Sequence, residues 1–246
     1  MTRQTRATNA ALFLFVARAP VPGAAKTRLG ATIGMEAAAR LYGAFLVDLA
    51  ARFTPAPGAD PGFDFGWAHT PGGLDFARVL VGVGCAYPPP SVRFVPQAGE
   101  GLAARLENAF RWAAEQGYAR TVIAATDSPH LPRSIAARSL AALDDHEVAI
   151  GRTVDGGYYL IGLRGAPDVL SGAPLSTGTE ADALVARAAG LGLRVAELPP
   201  TFDVDTEADL ALLRAALAPD GAAAPRTWAA LLALGLNRID REPGGA

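Results

Sequence analysis

Short apolar runs alternate with stretches of helical period along this chain, and the alternation predicts its elements. Residues 10–17 form an apolar run bounded by turn residues, the pattern of a buried strand. Met35 to Phe53 places Ala38, Leu41, Tyr42, Phe45, Leu46 and Leu49 on one helical face. The Pro/Gly-rich stretch 55–62 stops that helix. Strands are expected at 63–69 and 92–96, with a helix at 72–84 that ends at Tyr87-Pro88-Pro89-Pro90. A helix over 101–117 would turn Leu102, Leu106, Ala109, Phe110 and Ala113 inward. The fully apolar strand 121–126 follows, then a helix at 133–143 and extended runs at 147–151 and 158–163. The short connection between those two runs predicts antiparallel pairing. Helix 179–190, which Ser176-Thr177-Gly178-Thr179 could cap, leads to strand 193–198 and helix 207–218.

This succession implies an α/β fold in three layers, α/β/α, with a mostly parallel mixed sheet covered on both faces. Residues 1–9 are polar and expected to be disordered, 10–218 form the domain, and 219–246 are a tail with one helix. The apolar face around Trp228 and Leu232 suits docking on the domain or a homodimer contact equally.

Composition narrows the class. At 246 residues and half apolar, the chain can bury a sizeable core. Its net charge of -2 argues against binding nucleic acid through general charge. A single cysteine, Cys85, excludes an intramolecular disulfide framework and a cysteine-rich zinc site. The first apolar run is short for a signal peptide, and no stretch approaches the ~18 apolar residues of a membrane helix. The default expectation is a soluble, cytoplasmic protein.

Candidate chemistry begins where the first strand ends. The loop Ala19-Pro20-Val21-Pro22-Gly23-Ala24-Ala25-Lys26-Thr27-Arg28-Leu29-Gly30 sets two cations beside a hydroxyl, at the edge where open α/β sheets bind ligands. It is neither a Walker A loop, since Pro20 and Ala25 stand where glycines are needed, nor a dinucleotide fingerprint. A basic surface loop or a cradle for phosphate oxygens are its two readings.

Acidic residues sit at later strand ends. Asp127 closes the apolar strand, held out of a helix by Pro129 and Pro132, and is placed to hold a divalent cation on a phosphate. Asp203 and Asp205 follow the last strand at a spacing that turns both to one face, and one or both should face Asp127. Thr206 with Asp209 has the form of a capping box, so Asp203 is the more diagnostic of the pair. The Asp155-Gly156-Gly157-Tyr158-Tyr159 turn reads equally as a plain hairpin or as a place where ligand meets backbone. The histidines, His69, His130 and His146, have no metal spacing, and only His130 lies near an acidic residue of interest. No general-base pair is evident.

Taken together, Pro22-x-x-x-Lys26-Thr27-Arg28-Leu29, Asp127-Ser128-Pro129, Asp155-Gly156-Gly157-Tyr158-Tyr159-Leu160-Ile161-Gly162-Leu163 and Asp203-Val204-Asp205-Thr206 resemble the DUF2064, or rSAM-selenodomain-associated, transferase family. That family is similar to phospholactate guanylyltransferase within the GT-A, or nucleotide-diphospho-sugar transferase, superfamily. The likeness spans roughly residues 11–217. It implies a GT-A-like fold in which Lys26 and Arg28, with Pro22, Gly23 and Thr27, bind nucleotide phosphates. It further implies that Asp127, Asp203 and Asp205 hold Mg²⁺ or Mn²⁺, and that Lys26, Arg28 and Asp127 are catalytic. Loop 97–105, with Gly101, Leu102 and Arg105, would lie near the base. Asp155, Gly156, Gly157 and Tyr158 would line the acceptor side. One departure is that Glu100-Gly101-Leu102-Ala103 stands where the family has a Gly-Asp-Leu-Gly run.

These residues are compatible with three functions. Nucleotidylyl transfer from a nucleoside triphosphate to a small phosphorylated acceptor releases pyrophosphate and needs no base, and two cations after the first strand suit a triphosphate. Glycosyl transfer from a nucleotide sugar would want a carboxylate base, for which Asp155 is the candidate. A non-catalytic binding protein would not need three carboxylates. The first is preferred and the second is the alternative.

Overall fold

The computed structural model describes residues 10–56, 58–171 and 178–237. Residues 1–9, Pro57 in the Pro/Gly loop, and Ser176 and Thr177 of the expected cap lie outside the described residues.

The first apolar run becomes β1 (Ala11–Arg18), which sits in the middle of the sheet. The other strands are β2 (Asp64–Thr70), β3 (Arg93–Pro96), β4 (Arg120–Ala125), β5 (Val148–Thr153), β6 (Tyr158–Arg164) and β7 (Val195–Thr201). They form one seven-stranded sheet in the order β3-β2-β1-β4-β6-β5-β7. Only β6 is antiparallel to its neighbours, through the expected pairing with β5 and a second one with β4. The helices are α1 (Thr27–Ile33), α2 (Met35–Phe53), α3 (Phe76–Gly82), α4 (Gly101–Glu115), α5 (Ser134–Asp145), α6 (Glu180–Gly190), α7 (Glu207–Leu217) and α8 (Pro225–Ala233).

Alternation along β1 builds two cores, because successive side chains point to opposite faces. Phe13, Phe15 and Ala17 enter a core shared with α2, α3, α5, α7 and α8, while Leu12 and Leu14 enter another with α4 and α6. Phe13, Phe15, Phe53, Phe65 and Trp67 meet in stacked and edge contacts at 4.8–6.4 Å. This is the three-layer α/β/α architecture that the pattern implied.

Some boundaries differ from the sequence reading. α1 takes the place of part of the expected loop, because seven residues interrupted by Gly30 give too little periodicity to announce a helix. Gly30 is there for contact: a Cβ would come within 2.5 Å of Met35 Sδ where α1 meets α2. The last strand continues through Pro199 and Pro200 to Thr201, which is tolerated because β7 is an edge strand with one ladder only. Leu102 was placed inward but is 43% exposed, since α4 begins at Gly101 and its first turn lies beyond the sheet.

The tail helix α8 docks on the domain. Leu231 is fully buried, and Asp48 of α2, itself 3% exposed, accepts hydrogen bonds from the backbone N–H groups of Arg226 (3.0 Å) and Thr227 (2.7 Å). These are orphan donors of the first helical turn after Pro225, so Asp48 acts as a cap supplied from another helix. Asp48→Ala is expected to destabilise the fold by about 1–3 kcal/mol in urea unfolding and to speed amide exchange across Arg226–Ala233, with Asp48→Asn losing less.

Candidate functional site

β1, β4, β5 and β7 run the same way, so their C-terminal ends share one sheet edge. From β1 the chain moves to β2 on one side, while β4 lies on the other, which makes the β1/β4 boundary a switch point of the topology. A cavity of about 700 Å³ opens there.

Lys26 is its centre. The residue directly precedes α1 in a left-handed backbone conformation, φ 50° and ψ 44°, which a side-chain-bearing residue adopts at on the order of 1–3 kcal/mol. Its side chain is 4% exposed, and its ammonium is ion-paired to Asp127 Oδ1 and, at 2.8 Å, to Asp205 Oδ1. The rings of Tyr42 and Phe45 flank it at 5.9 and 6.0 Å. Burial works against its charge, but the two carboxylates outweigh burial and hold its pKa above the ordinary lysine value. Lys26 is also the only lysine in the sequence; every other residue among the 22 lysines and arginines is arginine.

The second acidic residue arrives by backbone stitching. Val204 N–H donates to the Asp127 carbonyl at 3.0 Å, and Ser128 Oγ donates to the Phe202 carbonyl at 2.6 Å. Val204 is fully buried, so its neighbours Asp203 and Asp205 are turned away from the core. The Thr206–Asp209 capping box forms, which leaves the Asp205 carboxylate free of helix capping and available to Lys26. Against desolvation, Lys26 and Arg28 hold Asp205 below the usual carboxylate range; Arg28 lies 3.8 Å away. Asp203 is pushed up to about 6, first by burial and then by the charges of Asp205, Asp155 and Asp127. Among the described residues no three His, Cys, Asp or Glu side chains make a ready ligand shell; Lys26 stands between two of the acids.

Gly23, Lys26, Thr27, Arg28, Gly101, Leu102, Arg105, Asp127, Tyr158 and Asp205 line the cavity. Pro22 lies instead on a separate groove between α2 and α8. Asp203 sits behind Asp205, outside the lining. The Asp155 carboxylate is used by its own turn, accepting from Thr153 Oγ1 (2.5 Å) and Gly157 N–H (3.2 Å). Gly156, at φ +91°, lies so near the Gly178 carbonyl that a Cβ would stand 1.9 Å from it. The close backbone approach that glycine permits is therefore made by the chain itself.

Sequence reasoning missed a supporting set. The Tyr42 hydroxyl accepts from Arg18 N–H (3.1 Å) and donates to Thr126 Oγ1 (2.8 Å), because the Thr126 hydroxyl is committed to the Val16 carbonyl (3.0 Å). This ties the ends of β1 and β4 together under the cavity, which Arg18, Tyr42, Thr126 and Gln97 all line. The one available signal was a tyrosine at an inward helical position, whose hydroxyl demands a partner.

Two other residues lie outside the cavity lining. Burial pushes the Cys85 thiol up to about 11, which disfavours the nucleophilic thiolate. His130 stacks on Phe202 at 4.2 Å and shares a 2.8 Å hydrogen bond with Thr201, away from the cavity.

An α/β sheet of this order, with a charged crevice at β1/β4, defines a nucleotide-diphospho-sugar transferase fold, and the comparisons agree. The family of uncharacterised proteins conserved in bacteria, DUF2064, matches residues 84–177. The crystal structure of a Desulfovibrio desulfuricans G20 protein, provisionally named a nucleotide-diphospho-sugar transferase, is 30% identical over 94% of this chain and 100% of its own, with a TM-score of 0.81. A cytidylyltransferase from Leptospira borgpetersenii (14% identity, 93% and 95% covered, TM-score 0.54) shares the fold. So does the 4-diphosphocytidyl-2C-methyl-D-erythritol synthase of Anaerococcus prevotii (10%, 87% and 100%, 0.53). No curated protein sequence matches. The chain belongs to the DUF2064 family of nucleotide-diphospho-sugar transferase-like enzymes.

Burial, and then the charge of Arg52, lower the His130 pKa to about 4. The unfolded chain takes up this proton below about 6.5 and the native state does not, so native stability falls as pH drops from about 6.5 to about 4. His130→Gln is expected to remove on the order of 2–3 kcal/mol of that pH dependence, read from urea unfolding at pH 4 and pH 7.

Proposed function

We propose that this chain is a metal-dependent nucleotidylyltransferase, moving a nucleotidyl group from a nucleoside triphosphate to a small phosphorylated acceptor and releasing pyrophosphate. One observation carries the reading: Lys26 and Arg28 share a single crevice with Asp127 and Asp205. Cations and hard oxygen donors side by side suit a polyphosphate and its divalent counter-ion.

In this reading the acceptor phosphate attacks the α-phosphorus, the bond to the bridging oxygen breaks, and pyrophosphate departs with the electron pair. Lys26 and Arg28 hold the β- and γ-phosphates, and their charge stabilises the departing pyrophosphate. Asp127 and Asp205, backed by Asp203, are the residues that would hold Mg²⁺ or Mn²⁺. When bound, the ion would supply charge neutralisation along the phosphates. Gly101, Leu102 and Arg105 at the start of α4 line the side of the cavity proposed for the base, and Tyr158 the side proposed for the acceptor. A phosphate nucleophile needs no general base. Glycosyl transfer would ask that of Asp155, whose carboxylate is engaged by Thr153 and Gly157 outside the cavity lining.

The test offers each common nucleoside triphosphate, with Mg²⁺ and a panel of phosphorylated small molecules, to the purified chain, and follows pyrophosphate release and the nucleotidylated product by mass spectrometry. One triphosphate is expected to yield both. Lys26→Ala and Asp127→Asn should each lower kcat about 10²-fold or more while the melting temperature stays within a few degrees. Release of a nucleoside diphosphate from a nucleotide sugar, with no pyrophosphate from any triphosphate, would establish glycosyl transfer instead.

A further inference from the structure

The ammonium of Lys26 lies where the two best-placed carboxylates of the crevice converge. It contacts Asp127 Oδ1 and Asp205 Oδ1, one oxygen of each carboxylate. A divalent ion would bond such oxygens at about 2.0–2.6 Å, so an ammonium at hydrogen-bond distance from both occupies the same space and the same lone pairs. Charge adds to the exclusion, since a cation brought onto these oxygens meets the lysine charge within a few ångströms. With Lys26 in place, the proposed phosphate ligand and the proposed metal ligands neutralise one another.

We infer that Lys26 and a divalent metal are alternative occupants of the Asp127–Asp205 pair, so that polyphosphate, by drawing Lys26 away, opens the pair to metal. The inference rests on the nucleotide-binding reading above. Residue choice supports it. A compact ammonium on a four-carbon stem can leave a carboxylate pair by rotating, whereas an arginine fork would hold it bidentately. In a sequence that uses arginine for every other strong cation, lysine stands only here. A divalent ion in place of the ammonium balances both carboxylates and releases Lys26 to the phosphates, beside Arg28, which lies 3.8 Å from Asp205. Metal and nucleotide must then raise each other's affinity reciprocally.

The experiment is Mn²⁺ binding without nucleotide, followed by loss of the free-ion electron paramagnetic resonance signal, on the full chain and on Lys26→Met, Lys26→Met with Asp127→Asn, and Lys26→Gln. Asp127 and Asp205 are 32% and 40% exposed, so water can solvate them when the ammonium is removed, and circular dichroism checks that each variant folds. Lys26→Met and Lys26→Gln should bind Mn²⁺ at least tenfold more tightly than the unmodified chain, and Asp127→Asn should abolish the gain. Equal affinity with and without Lys26, or no Mn²⁺ binding to the folded Lys26 variants, overturns the inference. A second measurement needs no substitution. Selective ¹³C labelling of lysine gives one side-chain resonance, and raising Mg²⁺ should shift it in step with metal binding. Metal bound at Asp127 with that resonance unmoved also overturns the inference. Tighter Mn²⁺ binding without any turnover of triphosphates would remove the transferase reading alone; turnover without the Mn²⁺ effect would remove only the exchange.

Discussion

The ion-paired ammonium of Lys26 is the interaction on which the functional edge depends. Three separate strand ends deliver its surroundings: the loop after β1 brings the lysine, β4 brings Asp127, and the segment after β7 brings Asp205. Burying a lone ammonium is expensive, and burying carboxylates near one another is equally so. The ammonium, 4% exposed, is tolerable because the two partly exposed carboxylates are there. The site therefore behaves as one electrostatic unit, sensitive to any cation or anion that enters it.

Neutral groups hold that unit in place. Tyr42 joins the ends of β1 and β4 through its single hydroxyl, and the Val204 and Ser128 hydrogen bonds fasten the post-β7 segment to the residues after β4. Thr206 and Asp209 cap α7 between them, so Asp205 is spared that duty. On the other side, the Asp155 turn closes on itself and on Gly178, bringing a carboxylate near Asp203 that does not face the cavity. Charged groups that line the cavity are thereby separated from those that shape the loop. Such a division suits chemistry done by positioning and charge neutralisation rather than by proton transfer.

The groups that hold the tail follow the same economy. Asp48 is a buried carboxylate whose partners are backbone donors of α8, so a helix read only as an apolar stripe becomes part of the domain core. Arg52, one turn further along α2, donates to the carbonyls of Pro129, Leu131 and Ala223. One helix thus braces both the tail and the segment that follows Asp127.

Local pattern determined much of this protein. Apolar runs and helical periods placed nearly every strand and helix, because β1, β4 and α2 are buried along lengths where periodicity is unambiguous. Strand-end position also singles out Lys26, Asp127 and the Asp203–Asp205 pair, since parallel strands must send their C-terminal ends to one edge; the pattern favours Asp203, and the fold instead brings Asp205 to Lys26 because the Thr206–Asp209 box relieves it of capping. Tertiary structure decided what local pattern does not encode. Whether α1 forms, whether β7 runs through two prolines, and whether Asp155 faces ligand or its own turn depend on neighbours distant in sequence. Above all, only the fold shows that Lys26 lies on the carboxylates it was expected to accompany, because that contact closes across 101 and 179 residues of chain.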